Sequence, residues 1–233
     1  MKIPKTLATI VGVLAILLLA SLGRCTTFVW TNTVGGVWGS SSNWNPNGIP
    51  GSSDNAIITN AGTYTVTLNI SPSVGSLTLG GSSGRQTLVT GGYTLTLAAA
   101  SAVNANGVLA LSGDLNDNGG LTVNGQIIWT GGLLGTANVA LNIGTNGSLV
   151  MNAGGGTFYL GQPLSNAGTV QIVSGNLQFH GSYYGSMVNL PVGEEILARN
   201  PAKAPITRGW HALLQQNPSF CRTGRLVSRR RKD

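Results

Sequence analysis

A glycine followed by alternating polar and apolar residues is the unit this chain repeats, and that repeat restricts its fold more than any other feature. Within LSNAGTVQIVSGNLQFHG (Leu164–Gly181) it occurs twice: Gly168 leads Val170 and Ile172, and Gly175 leads Leu177 and Phe179. Further copies start at Gly62 (Tyr64, Val66), Gly75 (Leu77, Leu79), Gly91 (Tyr93, Leu95), Gly107 (Leu109, Leu111), Gly119 (Leu121, Val123), Gly125 (Ile127, Trp129) and Gly147 (Leu149, Met151). A period of two puts each apolar pair on one side of a short strand. Gly125, Gly147 and Gly168 advance by roughly one solenoid coil each, while Gly119/Gly125 and Gly168/Gly175 read as successive faces within a coil. An antiparallel sandwich also has short alternating strands. It does not require one glycine-led module to recur at coil-like intervals, so the expected fold is an all-β parallel β-helix.

The composition fits a long sheet surface. Glycine contributes 35 residues, charged residues only 8%, and hydrophobic residues 42%. Thr, Asn, Ser and Gly fill the outward positions, and the alternating apolar residues supply a core that a low-complexity linker lacks. Tyr64, Val66, Leu77, Leu79, Leu109, Leu111, Val123, Ile127, Leu149, Val170, Ile172 and Leu177 are expected to point inward. Asn-Gly pairs at 106–107, 118–119, 124–125 and 146–147 precede strands, where coil corners call for left-handed residues. Their asparagines are expected to stack into ladders along the axis.

At the N-terminus Lys2 and Lys5 precede an apolar run, Leu7–Leu22, in the layout of a secretory signal peptide. Ser21-x-Gly23 supplies a cleavage pattern, so residues 1–23 are expected to be a signal peptide, with an uncleaved membrane anchor as the alternative. Export leads to an expected location that is secreted or at the cell surface. Cys25 and Cys221 flank the repeats rather than stapling them.

Residues 24–60 carry Trp30, Trp38 and Trp44 among the turn-forming sequences Asn45-Pro46-Asn47-Gly48 and Ile49-Pro50-Gly51. The end of a solenoid exposes core and unpaired strand edges, and a Trp-rich cap would cover both. The alternative is a carbohydrate-stacking platform made by the same three indoles. The arrangement Trp30, Gly36-Val37-Trp38, Asn43-Trp44, Gly48-Ile49-Pro50-Gly51 and Asp54-Asn55-Ala56, followed by Gly62-Thr63-Tyr64-Thr65-Val66-Thr67-Leu68, resembles the start of exported bacterial β-helix repeat proteins of the autotransporter-like and adhesin-like kind. LTVNGQIIWTGG and LSNAGTVQIVSGNLQF are similar to their repeats. The resemblance covers about Trp30 to Gly185 and implies a right-handed parallel β-helix displayed outside the cell. It carries over no active-site residue. The chain departs from the pattern in being short and in lacking a C-terminal barrel or sorting signal.

The net charge of +7 collects at the termini; between them Arg85 faces Asp54, Asp114 and Asp117, so the repeats offer no basic stripe for nucleic acid. Glycoside hydrolysis needs two positioned carboxylates, and the repeats supply only those aspartates, with His180 alone. No catalytic or cofactor-binding residue is therefore assigned. Asp114-Leu115-Asn116-Asp117-Asn118-Gly119 matches the first half of a calcium loop, making Asp114, Asn116 and Asn118 the candidate Ca2+ ligands. The bidentate Glu that should follow falls at Gly125, which favours an Asx-type turn.

With the repeats assigned to residues 61–186, residues 187–233 read as a basic, non-repeat tail ending in Arg229-Arg230-Arg231-Lys232, with short helical turns at Glu194–Asn200 and Trp210–Gln216. The abrupt loss of pattern suggests a truncated or frame-shifted product of a longer repeat gene. The leading functional expectation is a non-enzymatic, exported surface β-solenoid, adhesive or structural, whose partners are extracellular glycans or surface proteins. Membrane contact is expected only through an uncleaved N-terminal segment. The alternative is a carbohydrate-binding or polysaccharide-degrading module, with Asp114 or Asp117 involved in the chemistry.

Overall fold

The structure is a computed structural model that describes residues 25–180, 183–191 and 194–197. The expected signal peptide, Cys221, the turn at Trp210–Gln216 and the arginine-rich end lie outside these residues. The described chain forms a parallel β-solenoid of about six turns. Its non-strand secondary structure is a single 3-10 turn at Ser41–Asn43.

Each turn contributes strands to three faces. The first face stacks Thr27–Trp30, Asn55–Ile58, Ser76–Leu79, Ser101–Val103, Leu121–Val123, Leu141–Ile143, Pro163–Asn166 and Ser186–Asn189, all parallel. The second stacks Gly36–Val37, Tyr64–Thr67, Gln86–Val89, Gly107–Leu111 and Gln126–Trp129, then the first halves of the long strands Ser148–Leu160 and Thr169–Phe179, then Glu194–Leu197. The third is smaller, with Ser73–Val74, Leu95–Leu97, Leu115–Asp117, Leu133–Leu134 and the second halves of the same long strands.

In-register stacking turns the sequence alternation into columns of like side chains. Val66, Leu88, Leu109, Ile127, Leu149 and Val170 follow one another through the second face, and all are buried. Trp30, Ile58, Leu79, Val103, Val123 and Ile143 do the same through the first. Each fully buried side chain contributes about 1.5–3 kcal/mol of hydrophobic stabilisation. That column then changes character at Asn166, which is buried, donates to Asn189 Oδ1 at 2.8 Å and accepts the Gly168 amide at 3.0 Å. Of the expected inward set, Ile172 is only half-buried, and the others are buried.

The three tryptophans close the N-terminal end. Trp44–Asn45 pairs antiparallel with Thr27–Trp30 on its outer edge, so the first face ends in a reversed strand rather than an open row of amides. Trp44 meets Trp30 edge-on at 5.1 Å between ring centroids and Trp38 at 4.8 Å. Parallel stacking already begins within this stretch, with Asn55–Ile58 lying between Thr27–Trp30 and Ser76–Leu79.

Four expectations are corrected. The glycines of the Asn-Gly corners are not left-handed: Gly107, Gly119, Gly125 and Gly147 do not have a positive φ, and among the described residues no asparagine has one either. Their role is close approach. A Cβ on Gly125 would lie 2.1 Å from the Asn104 carbonyl oxygen, and one on Gly147 would lie 2.0 Å from that of Val123. The corner asparagines Asn106, Asn124 and Asn146 stack in register but do not pair amide to amide; Asn106 donates at 2.9 Å to the Gly81 carbonyl of the preceding coil, as its neighbour Asn104 does to that of Gly80. Tyr93, which the glycine-led module paired with Leu95 on one face, is 40% exposed, because the Gly91-Gly92 turn precedes the strand, and of that pair only Leu95 enters the core. Stacking also continues past Gly185. Ser186–Asn189 pairs with Pro163–Asn166, and Glu194–Leu197 extends the second face as a strand where a helical turn was expected. The unpaired edge of Thr169–Phe179 offers Glu194–Leu197 a template of backbone donors and acceptors that local propensity does not register.

Candidate binding groove

An open polar groove of about 390 Å³ runs across the corner that leads into the second face. Register places Arg85, Asn106, Asn124 and Asn146 above one another there, one per coil, because Gln86, Gly107, Gly125 and Gly147 follow them in stacked positions. Gln126 and Ser148 form a second polar row, and Gly84 and Gly125 give the groove a floor without side chains.

The corner beneath Arg85 is fastened from inside. Gln86 is fully buried; its Oε1 accepts the Gly81 amide at 2.7 Å, and its Nε2 donates to the carbonyls of Ser83 and Gly62. The Arg85 amide donates to Thr63 Oγ1 at 3.2 Å. From this anchored backbone the exposed Arg85 side chain crosses the intervening coil, and Nη2 donates to Gln126 Oε1 at 3.3 Å. Val108, on the intervening coil, is only 5% exposed. Asn124 and Asn146 are exposed, and their side chains make no hydrogen bond among the described residues.

The groove is not the only ordered polar row. On the first face Asn55 Nδ2 donates to Thr27 Oγ1 at 3.3 Å and Ser76 Oγ donates to Asn55 Oδ1 at 2.7 Å, a ladder along the axis. Further along the described residues His180 packs against tyrosines: its ring lies 4.6 Å from Tyr183 and 6.1 Å from Tyr159, with both tyrosines exposed.

The residues singled out from sequence occupy other places. Trp30, Trp38 and Trp44 are 0%, 0% and 2% exposed and pack edge-to-face on one another, so no indole is left to stack on a sugar ring. Asp114, Asn116 and Asn118 lie in and beside the extended strand Leu115–Asp117. Alternate residues there spread the outer two about 13 Å apart, too far to converge on a cation whose ligands stand ~2.4 Å away. Asp114 accepts the Leu133 amide at 2.8 Å instead. Asp117 points the other way, fully buried, accepting the Gly120 amide at 2.8 Å and Gln162 Nε2 at 3.3 Å. Burial pushes its carboxyl above the ordinary Asp value, against opposing hydrogen bonds from Gln162 and neighbouring backbone amides. Asp54 accepts the Thr26 and Gly51 amides and ties the first coil together.

Arg85 was visible in the sequence only as an isolated cation, because the intervals between Arg85, Asn106, Asn124 and Asn146 are unequal and hide the column until the strands are paired. The architecture agrees with the β-helix resemblance, whereas comparison with protein-family models, curated proteins and solved structures found no match to this chain.

Proposed function

We propose that the chain is an exported, non-enzymatic β-solenoid that serves as an adhesive or structural element at the cell surface, related to longer repeat proteins of that kind. The observation that carries this reading is the groove, in which hydrogen-bonding side chains from successive coils are held in rows on one continuous core. Such rows suit contact with an extended glycan or a protein surface through many modest interactions. The apolar run behind Lys2 and Lys5 supports export, and any membrane contact runs through that segment if it stays uncleaved.

The disposition of the carboxylates supports a binding rather than a hydrolytic role. Asp114 faces solvent and Asp117 faces the core, so they do not flank a common substrate position. Asp54 is engaged with two backbone amides. The second reading, a carbohydrate-binding module, rests on the same groove and no longer on the tryptophans.

Fractionation of cells expressing the full chain, combined with protease treatment of intact cells, tests the location. The protein is expected in the envelope or medium, with the surface fraction sensitive to protease. Folded protein confined to the cytosol refutes the proposal.

A further inference from the structure

We infer that the groove binds an acidic polysaccharide, laid along the solenoid axis with one carboxylate on the Arg85 guanidinium; this rests on the surface function proposed above and names its ligand class. The spacing comes first. Coils repeat at about 4.8 Å, and the groove presents a carboxamide on each of three coils at Asn106, Asn124 and Asn146, with the Arg85 guanidinium reaching Gln126 beside them. An extended polymer of sugar rings advances by a comparable step, so successive rings meet the same kind of partner. A compact ligand would use only part of such a row.

The chemistry of the lining agrees. A carboxamide offers both donors and an acceptor, which matches hydroxyl groups that donate and accept. The amides of Asn124 and Asn146 are not engaged with other described side chains or backbone, so they meet a ligand without first breaking a bond. Gly84 and Gly125 leave the floor flat enough for a chain to lie against the backbone.

Charge then selects among glycans. Arg85 is the sole Lys or Arg among the described residues, and the groove lining contains no carboxylate to neutralise it. One of its five N–H donors goes to Gln126. The rest present a fork suited to a carboxylate. A nucleic acid is disfavoured, because a single cation neutralises about one phosphate and the lining supplies no aromatic ring for base stacking.

The test is titration calorimetry on the purified full chain with oligogalacturonate, its methyl ester, a neutral cello-oligosaccharide of equal length and oligoglutamate. Oligogalacturonate is expected to bind about tenfold more tightly than its methyl ester, the loss of one charge-assisted fork. Arg85→Gln is expected to erase that difference, and Arg85→Lys to restore part of it. Asn124→Ala with Asn146→Ala is expected to weaken both forms alike. Because Arg85 is exposed, the melting temperature of Arg85→Gln should match the parent, and that measurement excludes misfolding.

Equal binding of acid and ester, no binding of any glycan, or oligoglutamate binding as well as oligogalacturonate would each overturn the inference. These outcomes differ from failure of the proposed function. Loss of the acid preference in a protein found at the cell surface removes only the ligand class, whereas a cytosolic location removes the function whatever the groove binds.

Discussion

Replacing Gly147 by alanine separates two explanations of the glycine column that predict opposite signs. Gly147 does not have a positive φ. If backbone conformation were all that mattered, an alanine there would stabilise the fold by about 0.4–1 kcal/mol through the unfolded state. The stacking geometry says otherwise. An added Cβ would sit 2.0 Å from the Val123 carbonyl oxygen, against the 3.4 Å at which ordinary contact begins, and the obstacle is backbone rather than a movable side chain. Coils must part locally, which stretches the bond from the Ser148 amide to Gly125 O (2.9 Å) and that from the Gly144 amide to Val123 O (2.8 Å). Leaving two buried backbone groups poorly paired, each costing about 1–3 kcal/mol, gives an expected loss of about 3–5 kcal/mol. For a chain of this size that lowers the melting temperature by on the order of 10 °C. The control is Gly131→Ala, whose Cβ would find its nearest neighbour, Ser112 O, at 3.5 Å; it should change stability by less than ~1 kcal/mol. Urea unfolding followed by far-UV circular dichroism reads both. A Gly147→Ala variant as stable as the parent would show that close approach is not what demands glycine in this column.

Asp117→Asn should stabilise the protein at pH 7 by about 1–3 kcal/mol, because it removes a buried charge while Asn Oδ1 still accepts the Gly120 amide, and its Nδ2 donates to Gln162 Oε1 once the Gln162 carboxamide, which now donates to Asp117 Oδ2, turns over. The sign of the pH dependence follows from the raised folded-state value: the parent's contribution is fully present below about pH 3.8, the ordinary Asp value, and is lost as pH rises through the folded pKa. The stability gap between variant and parent should therefore close on acidification, and a gap unchanged between pH 7 and pH 4 refutes the assignment. In the cap, Trp30→Phe should cost more than Trp38→Phe: Trp30 Nε1 donates to Asn32 O at 2.7 Å, whereas Trp38 Nε1 is buried without an acceptor. Thermal melts of the two variants decide it, and the reverse order would sink the argument.

The parts of this fold that sequence reveals are those that repeat locally. Gly125, Gly147 and Gly168 marked successive coils correctly, since the alternation after each glycine is a property of a few neighbouring residues. The reason for the glycines was misread, because Asn-Gly signals both a left-handed corner and a close approach, and the distance to the coil below is set by residues about one turn away. Glu194–Leu197 was missed for a related reason. Its two glutamates break the apolar alternation, and its strand state comes from the free edge it joins. The tryptophans were located correctly as an end structure, but exposure depends on how Trp44–Asn45 folds back, which turn residues alone do not specify.

The groove depends on the same close approach. A solenoid corner can present a continuous polar row only if nothing large projects between coils, and at this corner Gly107 and Gly125 lie in register so that the coils touch through backbone. Gly125 is also part of the groove floor. Its missing side chain thus serves stacking and surface shape at once, and a larger residue there would disturb both. The side chains free to set what the groove binds are those standing beside that floor. Asn124 and Asn146 carry no coil-to-coil hydrogen bond among the described residues, whereas Asn106 is engaged with the Gly81 carbonyl and helps hold the coils together. Changes at Asn124, Asn146 and Arg85 should therefore retune binding at little cost in stability, and changes at Asn106 should not.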